Sequence, residues 1–97
     1  MTKIFKLRPK AHSDLENIYT YSIQKWGLSR AEKYIRDLEM GFESLIQNDT
    51  LGLDYSHVSK NLRSFPVVSH IIYYKKTLYG VIIIRVLHKS MDETRHL

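Results

Sequence analysis

No cysteine occurs in this chain of 97 residues. That excludes a disulfide framework and a thiolate zinc site, and it fits a reducing compartment. Glycine is scarce too: the 4 present are isolated, so no Gly-rich turn joins a strand to a helix to cradle a phosphate, and no nucleotide cofactor is expected. No apolar run is long enough to span a bilayer, and the opening MTKIFKLRPK carries charge without the apolar stretch of a secretory signal. A cytoplasmic protein with no membrane partner is expected. The five histidines, His12, His57, His70, His88 and His96, never fall at the i, i+4 spacing of a helical zinc site, so no metal is expected.

What is present is ordinary globular material. Hydrophobic residues make up 43% and charged residues 26% of the chain, which separates it from disordered and membrane proteins. The length fits one small domain over residues 1–97, with so little deep core that a partner would add stability. The net charge of +5 is uneven: residues 1–10 carry +4, 11–48 carry −2, 49–57 carry −2 and 58–97 carry +5. Basicity at both ends would draw an acidic partner.

The segment KIFKLRP predicts a short strand ending at Pro9, a residue that also suits the first turn of a helix. Leu15, Ile18, Tyr19, Ser22, Ile23 and Trp26 then recur on one helical face up to the stop at Gly27. A second helix follows, with a capping box from Ser29 to Glu32 and an apolar face of Ala31, Tyr34, Ile35, Leu38, Phe42, Leu45 and Ile46. So short a connection makes the two helices an antiparallel hairpin. Residues 47–61 lack a sustained period and read as a loop. Strand signals follow in LRSF, a turn at Pro66, VVSHIIYYK, a turn through Lys76 to Gly80, and VIIIRVLH. In the last strand, alternation puts Ile82, Ile84 and Val86 on one face and Val81, Ile83, Arg85 and Leu87 on the other. One face would bury the helices, and the other would carry the single charge of Arg85.

Ribonuclease chemistry is the enzymatic option. Cleavage through the 2′-hydroxyl needs a base, an acid and cations, which Arg63, Arg85, Lys89, Tyr73, Tyr74, His70 and His88 could supply from adjacent strands. Each also reads as an ordinary strand residue. The tail RVLHKSMDETRHL reads equally as a last turn capped by Asp92, with Met91 and Leu97 folded back and Arg95 and His96 solvated. A basic segment with an apolar anchor also suits a protein-binding surface.

Several blocks stand in a telling order: LRPKAHSDLENIYTYS at 7–22, Trp26 with Gly27, Ala31 with Tyr34, LRSFPVVSHIIYY at 62–74 and IRVLHKSMD at 84–92. Across nearly the whole chain this set resembles the RelE/ParE superfamily of bacterial toxins, and within it the ParE branch. The resemblance implies an α+β fold, a two-helix antiparallel hairpin packed on a small, mostly antiparallel sheet in the order β-α-α-β-β-β. It also implies a toxin that inhibits DNA gyrase and so blocks replication, with no nuclease activity or sequence-specific nucleic-acid binding of its own. A ParD-like antitoxin, encoded beside it, would neutralise it by wrapping over it. Gyrase contacts are then expected among His88, Lys89, Met91, Asp92, Arg95 and His96. Opposite charge points to antitoxin contacts at Arg63, Tyr73 and Arg85 on the basic sheet, and an apolar groove beside the helical hairpin is the equal alternative. The alternative, RelE-like branch cleaves messenger RNA on the ribosome. Here Ser69 and His70 stand where that branch would have an arginine, and Arg63, Arg85 and His88 are the residues left to carry such chemistry. A third possibility is a nontoxic relative that keeps only its partner binding.

Overall fold

The computed structural model describes residues 2–97. The elements run β1 (Ile4–Leu7), α1 (Pro9–Trp26), α2 (Leu28–Gln47), β2 (Leu53–Asp54), β3 (Arg63–Val67), β4 (His70–Thr77), β5 (Gly80–His88) and α3 (Glu93–His96). The five strands form one sheet in the order β1-β5-β4-β3-β2. Only β1 with β5 is parallel, because the helical hairpin carries the chain across the sheet between them. The expected α+β fold is therefore present, with two short additions, β2 and α3. Among the described residues, no helix is long and apolar enough to cross a membrane.

Pro9 opens α1, as its fixed φ and missing N–H allow. At the other end Gly27, at φ +92°, caps both helices: its N–H donates to the Ile23 carbonyl (2.9 Å) and its carbonyl accepts from Ala31 N–H (3.1 Å). The hairpin thus turns on a single residue, and α2 begins at Leu28. The expected Ser29–Glu32 capping box is not formed, because Ser29 already lies inside the first turn. The loop expected over 47–61 contains β2, whose Leu53 and Asp54 pair with Ser64 and Arg63.

The turn expected at Pro66 lies instead at Val68 and Ser69, and Pro66 is part of β3 opposite Ile71. Val67 and His70 close a hairpin with two loop residues, so in the next pair, Pro66 with Ile71, the N–H positions face away from the partner strand. Proline is tolerated there because β2 does not extend past Ser64 to require a donor. The start of β5 is constrained by Gly80 at φ +144°, where an added Cβ would lie 1.8 Å from the Ile4 carbonyl oxygen.

The strict alternation expected along β5 breaks midway. Tyr74 pairs with Ile83 but Tyr73 pairs with Arg85, so Ile84 is an extra residue, a β-bulge that changes which face each later side chain takes. Val81, Ile83 and Val86 consequently share the helix-side core with Ile18, Leu38, Phe42, Leu45, Ile72 and Tyr74. Ile84 and Leu87 join a second cluster with Leu62, Tyr73, Tyr55, Val58, Ile71 and Leu97. Leu97 reaches that cluster because α3 folds back over the sheet. Asp92 caps this helix by accepting from Thr94 N–H at 3.0 Å, as its type predicts. Met91, expected to fold back with Leu97, stays exposed.

Candidate functional site

Where the helical hairpin meets the β3–β4 turn, the two layers part to form a groove of about 830 Å³. Its wall from α1 is Asn17, Ile18, Tyr21, Ser22, Lys25 and Trp26; α2 gives Arg30, Lys33, Tyr34 and Asp37; the sheet end gives Val68, Ser69, His70 and His88. Trp26 is 49% exposed rather than buried with the rest of its helical face. Its ring meets Tyr21 edge-on at 6.0 Å, and the Lys25 ammonium lies 5.8 Å from both ring centres. Lys25, Arg30 and Lys33 face a single groove carboxylate, Asp37, which Lys33 already holds at 3.2 Å. The rim is therefore cationic over an aromatic floor.

Inside the groove, His70 Nδ1 lies 2.6 Å from the Tyr34 hydroxyl, which also accepts from Ser69 N–H at 3.2 Å. Burial pushes the His70 imidazole down to about 4, the neighbouring His88 adding to the shift and Asp14 opposing it. His70 is therefore neutral at pH 7. Burial likewise raises the Tyr34 phenol above its ordinary value. The His88 ring sits 5.3 Å from that of His70, and its Nδ1 lies 2.7 Å from the Ser90 hydroxyl. Among the described residues, no three His, Asp or Glu side chains gather closely enough to hold a metal ion.

The cations singled out in the sequence are not brought together. Arg63, on β3, donates from Nη2 to the carbonyls of Thr50 (3.1 Å) and Gly52 (2.6 Å), so it pins the loop that carries β2. Arg85 donates from Nε and Nη2 to both carboxylate oxygens of Asp14, each at 2.8 Å, and from Nη1 to the His96 carbonyl at 2.9 Å. Instead of standing alone on an open face, Arg85 clamps α1 to the tail. Tyr73 is 2% exposed, and burial, with Tyr55 and Glu93 adding, pushes its phenol up to about 12. As antitoxin contacts, Arg63, Tyr73 and Arg85 are thus committed to internal packing or bonding in this conformation.

The tail candidates divide. His88 lines the groove, and Lys89 N–H donates to the Ser69 carbonyl at 2.9 Å, which ties the tail to the β3–β4 turn. Lys89, Met91, Asp92 and Arg95 are exposed, while His96 is half-buried and gives its carbonyl to Arg85. Glu93 accepts from the Tyr55 hydroxyl at 2.8 Å, a bond that lowers the carboxyl's pKa. The groove residues Tyr21, Lys25, Arg30, Lys33 and Val68 were not singled out by sequence. The available signal was the clustering of Tyr21, Lys25 and Trp26 with Arg30 and Lys33 across Gly27, aromatic and basic residues at the tip of a hairpin.

A helical hairpin on a mostly antiparallel sheet, open at one end in an aromatic groove rimmed by cations, defines a small two-layer α+β domain. The model of the family described as "ParE toxin of type II toxin-antitoxin system, parDE" matches residues 5–93. The chain is 35% identical to Toxin ParE1 of Caulobacter vibrioides over 98% of both chains. It is 32% identical to Toxin ParE1 of Mycobacterium tuberculosis over the full length of both. A chain of the solved chromosomal ParDE TA system from P. aeruginosa has the same fold, with a TM-score of 0.76 at 19% identity over 90% of this chain and 96% of that one. The chain belongs to the ParE toxin family of type II toxin-antitoxin systems.

Proposed function

We propose that this protein is a toxin neutralised by a ParD-like antitoxin seated in the helix–sheet groove, and that it acts in the cytoplasm by binding DNA gyrase through the tail of residues 88–96. No chemistry of its own is involved. The observation that carries the antitoxin half is the groove: exposed Trp26 and Tyr21 offer apolar anchorage, and Lys25, Arg30 and Lys33 offer complementarity to an acidic segment. The structural neighbour from a ParDE system supports the same partner class. For the gyrase half, the tail is held in one shape by the Asp92 cap, the Arg85–His96 bond and Leu97, while Lys89, Met91 and Arg95 remain open to a partner. The commitment of Arg63 and Arg85 to internal bonds favours binding over catalysis, since a charged phosphorane needs free cations.

Purified protein should inhibit gyrase supercoiling, and Lys89→Ala with Arg95→Ala should raise the inhibitory concentration at least about tenfold without changing Tm, because neither side chain packs into the core. Absence of inhibition at stoichiometric excess overturns the gyrase reading. One observation favours the ribonuclease alternative, the Tyr34, His70 and His88 cluster in the groove. That reading requires codon-linked cleavage in toeprints of translating ribosomes, abolished by His88→Ala.

A further inference from the structure

The β3–β4 turn holds a backbone anomaly at the mouth of the groove. Val68 is the first of the two loop residues and has φ +52°. A two-residue hairpin turn that needs positive φ there is built for glycine, and a β-branched side chain is the least suited to that region. The other non-glycine residue with positive φ is Asn61, a type that tolerates the conformation through local hydrogen bonding. Val68 gains no burial in exchange, being 70% exposed.

The strained turn is nevertheless held firmly. Tyr34 accepts from Ser69 N–H and contacts His70, while Ser69 accepts from Lys89 N–H. Bonds from α2 and from the tail therefore fix the backbone immediately after Val68, and its isopropyl group lines the groove. Backbone strain retained in a rigid, exposed position is a feature of sites that use the side chain for something outside the fold.

We infer that Val68 is a specificity-determining contact for the antitoxin segment in the groove. The inference rests on the antitoxin reading given above. The occupant it fits is a peptide segment with an apolar or aromatic side chain lodged against Val68 and carboxylates meeting Lys25, Arg30 and Lys33; the lone opposing carboxylate, Asp37, is already paired. Tyr34 is the positioning residue, since its hydroxyl holds the turn from α2.

Val68→Asn and Val68→Gly separate the fold from the contact, because both accept the left-handed backbone. Each is expected to raise Tm by roughly 2–6 °C or leave it unchanged, and to weaken binding of the cognate ParD-like antitoxin by at least about tenfold in calorimetric titration. Leu78→Asn, at the fully exposed β4–β5 turn, should leave the affinity unchanged. Wild-type affinity in both Val68 variants overturns the inference while leaving the antitoxin reading in place. A fall in Tm in both variants also overturns it, since the side chain would then serve the fold. Failure of the wild-type protein to bind the antitoxin defeats both readings.

Discussion

Asp14 and Arg85 are the test of how this sheet edge is held. Beyond Leu7, β1 no longer covers β5, so the N–H of Val86 has no strand partner. Asp14 supplies one from α1: Oδ2 accepts from Val86 N–H at 2.9 Å, while both oxygens accept from the Arg85 guanidinium at 2.8 Å. The two side chains are only 14% and 11% exposed for Arg85 and Asp14, so the fork sits largely out of water. Asp14→Ala leaves the guanidinium with only the His96 carbonyl and orphans the Val86 N–H. Breaking a buried pair from one side costs 3–5 kcal/mol. The residual exposure places this case at the lower end, about 3 kcal/mol. For a domain of this size that is a fall in Tm of roughly 12–24 °C. Arg85→Met should cost less, about 2 kcal/mol, because Asp14 keeps its bond to Val86 and regains some water. The double variant should be less damaged than the sum of the two, with a coupling of about 1.5 kcal/mol or more. Urea denaturation of the four proteins measures all these quantities. Single losses under about 1 kcal/mol, or strict additivity, would refute the view that this pair locks α1 to β5.

Two further outcomes follow from the same geometry. His70 takes a proton near 6.5 when unfolded but only near 4 when folded, so between these values the unfolded state binds more protons and stability falls as pH is lowered. After allowance for its partial exposure the loss is about 1–2 kcal/mol; pH-dependent denaturation should show this slope, and His70→Gln should abolish it. Gly80→Ala should detach β1, since the new Cβ would meet the Ile4 backbone oxygen at 1.8 Å. Gly27→Ala, with open space around it, should suffer only the backbone strain of φ 92°, ψ 169°, about 1–3 kcal/mol. A Tm loss for Gly80→Ala no larger than that for Gly27→Ala would contradict the close approach.

The helices and the succession of strands along the chain were legible because both rest on local periodicity: Leu38, Phe42 and Leu45 repeat as a buried stripe, and β-branched runs mark β4 and β5. Where the sequence misled, a neighbour outside the motif had decided, local in one case and distant in the others. The capping box at Ser29 was sound local chemistry, pre-empted because Gly27 caps the helix two residues earlier. Pro66 looked like a strand end, yet β3 continues because β2 stops short and leaves that edge with no donor to supply. The bulge at Ile84 had no mark in VIIIRVLH, since the register of β4 creates it, and it reassigns every later residue of β5 to the opposite face. Asp14 and Arg85, 71 positions apart, show the same limit most plainly. Nothing near either residue names the other.

The groove was harder to read than the fold for a further reason: its residues come from three separate segments, and each has a bland local role. Tyr21 and Trp26 look like core on a helical wheel, Lys25, Arg30 and Lys33 look like a solvated face, and Val68 looks like one more strand valine. The resemblance to ParE toxins pointed to an antitoxin; opposite charge attached it to Arg63, Tyr73 and Arg85, which the structure uses to hold its own loop, second core and tail, while a groove beside the hairpin was the other expectation. A charge or an aromatic in sequence cannot reveal whether an internal partner has already claimed it. Exposure and backbone angle can, and they draw attention to Trp26 and Val68. Trp26 stays half open where its helical period called for burial, and Val68 adopts a conformation its own propensity opposes. Trp26 keeps only its neighbours Tyr21 and Lys25 on its own helix, and Val68 gains no burial at all, so on the antitoxin reading proposed above both positions are fitted to a partner rather than to folding.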